Sequence, residues 1–127
     1  MPNRNVHEVM GHIGREPELK YTSSGDPVCF LSVATSNDYK QGDEWIRKDP
    51  EWHNIVFFGE LTELVVKEFR KGDAIMVRGK HKTRIEEWNG QARQVGEIVA
   101  SEVYRPIYPK RAKEEDTAQS GQSGIPF

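Results

Sequence analysis

Hydrophobic residues along the chain occur mostly in short runs that are bounded by glycine, proline, asparagine and aspartate. Runs of this length with turn residues between them are typical of a small β-rich domain. Residues 23–26 form a turn signal that can simply bend one long strand. The pattern predicts strands over residues 5–13, 18–22, 27–36, 51–58, 73–86 and 92–104.

One segment departs from the strand pattern. Its apolar residues fall at helical spacing, at Leu61, Leu64, Val65 and Phe69. Gly72 follows Lys71 and is predicted to cap the C-terminus of this helix. The order of elements fits an all-β fold, a five-stranded Greek-key barrel of the oligonucleotide/oligosaccharide-binding type (OB-fold), with one α-helix between strands 3 and 4. A small antiparallel sandwich fits the pattern nearly as well.

Two polar stretches interrupt or follow this domain. Residues 37–50 enclose Trp45 among polar side chains, which predicts a long exposed loop or the tip of a hairpin. After residue 108 the sequence is dominated by Lys, Glu, Gln, Ser and Gly, with little to bury. We therefore predict an OB-fold domain over residues 1–108 and a disordered tail over residues 109–127.

Composition limits the functional classes. The chain has 127 residues, of which 35% are hydrophobic, and this size fits one domain with a modest core. No apolar stretch approaches the roughly 18 to 20 residues that cross a bilayer, so no membrane association is expected. The single cysteine, Cys29, rules out an intramolecular disulfide and is predicted to be a small core residue. These features favour the cytoplasm.

The net charge of −2 conceals a basic central segment. Residues 67–93 carry 8 Lys or Arg against 4 Asp or Glu. Side chains alternate across a strand, so the even positions of the strand at 73–86 share one face, while most odd positions suit a core. Successive cations on that face would lie about 6.6 Å apart, a spacing suited to a phosphate backbone. The even positions place on it Arg78, Lys80, Lys82 and Arg84, followed by Trp88 before the turn signal Asn89-Gly90.

The strand at 51–58 follows the same alternation. Trp52 and Phe58 share one side with Asn54 and Val56, whereas Phe57 faces the predicted core. Stacking on such rings contributes about 1 to 3 kcal/mol per base and accepts any sequence. Alternating aromatics are most often core, and a cationic row is usually a solvated face. Their shared parity favours binding of single-stranded nucleic acid, with Tyr39 in the loop as a third platform.

Metal and catalytic chemistry find little support in the sequence. The four histidines show no His-x-x-x-His spacing, and neither a Gly-rich phosphate loop nor a Gly-x-Ser-x-Gly elbow occurs. We expect no metal, no cofactor and no enzymatic activity. A small metallohydrolase that uses the histidines is the least favoured alternative.

The sequence resembles bacterial-type single-stranded DNA-binding proteins. Each matching motif is weak singly, but together they are specific, because they follow one another in order over about the first hundred residues. The matching stretches are residues 11–18, 21–22, 25, 34–36, 51–53, 58–59, 69–73, 78–79, 83–84, 90–91 and 97–99, together with the ending Ile125-Pro126-Phe127.

The resemblance implies an OB-fold protein, usually a homotetramer, that binds and protects single-stranded DNA during replication, repair and recombination. It is expected to act without sequence preference or catalysis, at the nucleoid. Bases would stack on Trp52 and Phe58, and on Tyr39 where the family often has Trp. Trp88 lies near a further stacking position, and Lys71 matches a DNA-contacting lysine. Asn54 and Glu60 stand where cations are common, which predicts a shallow dependence of affinity on salt.

The end of the chain carries a separate expectation. In the family this apolar tip docks replication and repair proteins, and neighbouring acids meet a basic rim on the partner. Here Ile125, Pro126 and Phe127 remain, but residues 119–124 contain no acid. Such a reduced tail fits a plasmid- or phage-borne copy. The alternative function is an OB-fold interaction adaptor of the primosome type, whose sheet face contacts protein instead of DNA.

Overall fold

A computed structural model describes residues 2–107. Within that range there are five long strands, two short segments of strand that form a hairpin, one two-residue strand and one helix. The elements in chain order are β1 (His7–Ile13), β2 (Lys20–Tyr21), β3 (Pro27–Thr35), β4 (Tyr39–Gln41), β5 (Glu44–Ile46), β6 (Glu51–Phe58), α1 (Glu60–Glu68), β7 (Ala74–Trp88) and β8 (Gln91–Tyr104).

The five long strands close into a barrel. Their order around it is β1, β7, β8, β6 and β3, and antiparallel pairing of β1 with β3 closes the ring. Only the β6–β8 contact among these is parallel, which is the Greek-key crossover. The predicted OB-fold is therefore confirmed, and within residues 2–107 the long strands form one closed sheet instead of a sandwich of two.

Alternating side chains of these strands fill the barrel. A single cluster of buried side chains includes Leu31 and Val33 from β3, Phe57 from β6, and Ile75 and Val77 from β7. Cys29 and Phe57 belong to this cluster and are fully buried, as the sequence predicted. The predicted alternation of buried and exposed side chains is observed here because each barrel strand has one face toward the core and one toward solvent.

The helix covers one end of the core but ends earlier than predicted. Phe69 is the C-terminal cap, with extended backbone and its N–H donating to the carbonyl of Val65. The prediction that Gly72 caps the helix is wrong. The Phe69 ring is buried in the core cluster, so the chain leaves the helix there, and Gly72 instead takes a positive φ of 89° in the turn into β7.

The β7–β8 hairpin extends beyond the barrel. Its turn is Asn89-Gly90, and both residues have positive φ, as a two-residue turn that matches strand twist requires. Because the distal arm leaves the core, Thr83 and Ile85 are exposed, and Ile85 retains 66% of its accessible surface. The expectation that the odd face of this strand is core therefore holds for Ile75 and Val77 but is wrong for Ile85.

Other predictions concern the loop and the termini. Residues 37–50 form an exposed hairpin from β4 and β5, in agreement with the sequence pattern. The predicted tail over residues 109–127 lies outside the described residues, and the domain boundary at 108 stays a prediction. Within residues 2–107, no helix has the length and apolar character needed to span a membrane.

Candidate nucleic-acid interface

Strand β6 presents two aromatic rings to solvent. Trp52 and Phe58 are 53% and 49% exposed, whereas Ile55 and Phe57 are fully buried in the core cluster. This is the alternation predicted for the strand. Val56 has the parity of the exposed rings yet is buried, and it lies outside the core cluster. The two rings therefore flank a tightly packed centre on the outside of the barrel.

Strand register joins β7 to the same surface. Phe30 pairs with Val56, Val56 pairs with Val99, and Val99 pairs with Lys80 across four neighbouring strands. Paired residues of adjacent strands point to the same side of a sheet. We call the side of β3, β6, β8 and β7 that faces away from the core the outer face. Trp52, Phe58 and Lys80 share it.

The predicted row of cations divides into two kinds. Arg78 pairs with Glu8 of β1 at 3.6 Å. Arg84 donates from Nε to Glu97 at 2.8 Å and from Nη1 to Glu86 at 2.9 Å, and these hydrogen bonds raise the pKa of its guanidinium above the usual value. The residues between them are lysines: in the described part of the chain, neither Lys80 nor Lys82 forms an ion pair. Within this row of four, the two lysines are therefore the cations that a phosphate could contact without displacing an acid.

The indole of Trp52 rests against the chain just after β1. A Cβ atom on Gly14 would lie 2.4 Å from Cζ3 of this ring, closer than any side chain tolerates. Gly14 is fixed there by its N–H, which donates to the carbonyl of Ser32 at 2.8 Å. The absence of a side chain at Gly14 therefore leaves the space that the Trp52 indole occupies.

Lys71 lies at the same end of the barrel. Its neighbour Gly72 donates to the carbonyl of Ile13, the residue that precedes Gly14. The Lys71 backbone N–H donates to Oε1 of Glu16 at 3.0 Å, and its side chain is exposed. The loop after α1 thus brings this cation toward the end of the surface that carries Trp52.

The two remaining aromatic candidates lie on projecting hairpins. Trp88 is exposed at the tip of β7, where the Arg93 guanidinium is 5.4 Å from the centre of its ring. Tyr39 is exposed in the separate β4–β5 sheet, and Lys48 lies 5.7 Å from its ring centre. Trp88 keeps the strand parity of Lys82. Pairing does not connect Tyr39 to the outer face, because β4 pairs with β5 in a separate sheet.

Three histidines line a cleft of about 300 Å³ that is formed by residues of β1, β6, β7 and β8. The rings of His7 and His81 lie 5.0 Å apart, and Nε2 of His53 is 2.9 Å from the hydroxyl of Thr35. Among the residues that the structure describes, no group of three or more His, Cys, Asp or Glu side chains is arranged to hold a metal ion.

Sequence reasoning missed an aromatic on the outer face. Phe30 is 42% exposed and pairs with Val56 between the two predicted platforms. The signal was present, because Cys29, Leu31 and Val33 alternate with it and are buried. The alternation is hard to recognise in the sequence because Phe30 lies within a continuous apolar run, and a phenylalanine in such a run is usually predicted to be in the core.

Comparison with known proteins identifies the family. The sequence model of the "Single-strand binding protein family" matches residues 4–106. The chain belongs to the single-strand binding protein family. A "Single-stranded DNA-binding protein 1" of Xylella fastidiosa (strain 9a5c) is 35% identical over an alignment of 107 residues, and the match covers 81% of this chain and 77% of the relative. The resemblance predicted from the motifs is therefore confirmed.

Solved structures of single-strand binding proteins have a similar fold. A Plasmodium falciparum SSB in complex with single-stranded DNA superposes with a TM-score of 0.71 at 29% identity, and the match covers 84% of this chain and 98% of that chain. The small single-stranded DNA-binding protein of Streptomyces coelicolor gives 0.70 at 19% identity, over 84% and 97% of the two chains. The second likeness establishes the fold alone.

Proposed function

We propose that this protein binds single-stranded DNA without sequence preference and without catalysis. The observation that carries the proposal is the outer face, where the exposed rings of Trp52 and Phe58 lie on the same surface as Lys80 and Lys82. Rings accept bases of any identity by stacking, and lysines follow the phosphates. Membership of the single-strand binding protein family and the likeness to a structure in complex with single-stranded DNA support it.

Intrinsic fluorescence tests this proposal. Addition of poly-dT at low salt is expected to quench tryptophan emission, because stacked bases quench indole, and the quenching should be weaker in Trp52→Ala. Trp45→Ala is the matched control, since Trp45 is also exposed but lies in the β4–β5 hairpin. Unchanged emission in excess poly-dT would exclude the proposed function.

We also propose that the chain assembles as a homotetramer. Away from the stacking rings, Met10, Met76 and Tyr104 are direct neighbours across β1, β7 and β8. Met10 and Tyr104 are both nearly half exposed. Apolar side chains grouped on a sheet face are typical of subunit contacts. Light scattering should give a mass near four chains, and Met10→Glu should lower it; a monomer at micromolar concentration would contradict the proposal.

The cellular role is proposed from the family and the sequence of the tail. We infer that the protein protects single strands during replication, repair and recombination in the cytoplasm, at the nucleoid. Partner proteins are proposed to dock on Ile125, Pro126 and Phe127. Removal of these three residues should leave DNA affinity nearly intact and abolish capture of helicases, nucleases or polymerase subunits. Equal capture by the full-length and truncated chains would reject the docking role.

A further inference from the structure

Phe30 is a further exposed ring on the outer face, on the strand next to that of Trp52 and Phe58. It is 42% exposed, whereas the residues on either side of it along β3 are buried in the core cluster. Register pairs Phe30 with Val56, so its side chain points to the same side of the sheet as the two rings of β6. The outer face therefore carries a ring that does not contribute to the core cluster.

Phe30 lies within a gap in the row of rings. Trp52 and Phe58 are six residues apart in β6, which is about 20 Å along a strand. The outward positions between them are Asn54 and Val56, and neither carries a ring. Through its pairing with Val56, Phe30 lies about 13 Å along the sheet from Trp52 and about 7 Å from Phe58. A strand that stacks on all three rings is thus supported within this length as well as at its ends.

The Phe30 ring borders an open pocket of about 220 Å³. Phe30 and Arg15 line it on the side of β3, and Arg84 and Glu97 line it on the side of the β7–β8 hairpin. Arg84 and Glu97 bind each other at 2.8 Å, so neither of these two charges is unpaired. A planar base can lie over the Phe30 ring in this space.

Two cations lie beside β3, at the opposite edge of the outer face from the lysines of β7. Arg15 lines the same pocket as Phe30. Lys20 pairs with Val28, which has the parity of Phe30 and precedes it by two residues, so the Cα atoms of Lys20 and Phe30 are about 8 Å apart. Both cations are exposed, and within residues 2–107 neither forms an ion pair. A phosphate next to Phe30 can therefore contact them without displacing an acid.

We propose that Phe30, Arg15 and Lys20 form a nucleotide subsite on the β3 side of the outer face, which accepts any base. The assignment rests on the proposed function, because it concerns one nucleotide of the single strand that Trp52 and Phe58 also hold. Phe30 stacks on the base, and the two cations contact the flanking phosphates. Since stacking uses the π-face that every base has, the subsite keeps binding independent of sequence.

Ring substitutions at Phe30 test the stacking contact. Oligo-dT and oligo-dC of about 16 nucleotides, the upper end of an OB-fold site, are titrated separately and followed by tryptophan emission. Phe30→Leu keeps an apolar side chain but has no ring, and it should weaken binding of both oligomers by the same factor of about five, the lower end of what stacking contributes. Phe30→Tyr retains the ring and should bind as the native chain does.

Tyr21→Ala is the matched control for the ring. Tyr21 is 63% exposed, but it pairs with Pro27, whose parity along β3 is opposite to that of Phe30. Its removal should leave the affinity for both oligomers unchanged. Urea titration verifies that Phe30→Leu and Phe30→Tyr are folded, so that a difference in affinity between them reports the ring.

Charge substitutions test the phosphate contacts. Arg15→Gln and Lys20→Gln should each lower the magnitude of the slope of log affinity against log salt by about 0.7. Lys67→Gln removes an exposed cation from α1, which is not part of the outer face, and should leave the slope unchanged.

The outcomes distinguish this subsite from the general function. Native affinity in folded Phe30→Leu, an equal loss in Phe30→Tyr, or a native salt slope in Arg15→Gln and Lys20→Gln would overturn the subsite while leaving single-strand binding in place. A loss in Phe30→Leu for one oligomer alone would overturn its tolerance of any base. Failure of the native chain to bind either oligomer would overturn the subsite and the proposed function together.

Discussion

Replacing Lys80 and Lys82 with glutamine tests whether these two lysines of the outer face contact DNA phosphates. Both lysines lie on the surface shared with Trp52, and within residues 2–107 neither has an acidic partner. Each lysine that neutralises a phosphate of a single strand contributes about 0.7 to the slope of log affinity against log salt. The double variant should therefore lower the magnitude of this slope by about 1.4.

The affinity loss depends on the salt concentration because released counterions drive the binding. Loss of one lysine lowers the slope by about 0.7, so a fourfold increase in salt should change the ratio of native to variant affinity about 2.6-fold. Loss of both lysines should change this ratio about sevenfold. Fluorescence titration with poly-dT at several salt concentrations measures the slope directly. The stability of the fold should not change, because both side chains are exposed.

Arg78→Gln is the matched control for this experiment. Arg78 belongs to the same strand and the same face, but its guanidinium is paired with Glu8. Its removal should change the slope by less than half as much as removal of Lys80. A slope loss as large for Arg78→Gln as for Lys80→Gln would refute the division of the cationic row into paired and available residues.

Three further predictions concern packing. Gly14→Ala should displace the Trp52 ring and weaken poly-dT binding by about 1 kcal/mol, the lower end of a stacking contribution, with little change in melting temperature; unaltered affinity would contradict this. Burial raises the pKa of the Cys29 thiol, so a thiol reagent should modify it only after denaturation, and rapid labelling of the native chain would be inconsistent with a closed core. The buried Thr62 hydroxyl has no hydrogen-bond partner among the described residues, so Thr62→Val should raise the free energy of unfolding by about 1 kcal/mol in urea titrations, whereas Thr62→Ala should not.

The parts of the fold that could be predicted are those governed by local alternation. Strand β6 has one side in the core and one outside, so the exposure of Trp52 and the burial of Phe57 followed from parity alone. The turn at Asn89-Gly90 was equally predictable, because its backbone conformation suits those residue types. In both cases the controlling interaction lies within a few residues along the chain.

The errors arose where distant segments determine the outcome. Alternation along β7 cannot reveal that the strand extends beyond the barrel, so the pattern places Ile85 with the core side chains although 66% of its surface is exposed. The helix end differs from the prediction for a related reason, since Phe69 ends the helix and its ring packs in the core cluster with side chains from distant strands. Neither fact is encoded in the spacing of apolar residues.

The sequence pattern also could not predict which cations of the row form ion pairs. These ion pairs reduce the number of cations that are available to a phosphate. A row of four cations suggests a uniformly attractive surface, but the strand register places Glu8 opposite Arg78, and Glu97, which stands opposite Lys82, binds Arg84 diagonally. Acids within a binding surface reduce its general affinity for phosphate, because a phosphate must compete with them for each arginine. A surface with all four cations free would therefore be expected to hold phosphates more tightly than this one, in which, among residues 2–107, Lys80 and Lys82 are the members of the row without an ion pair.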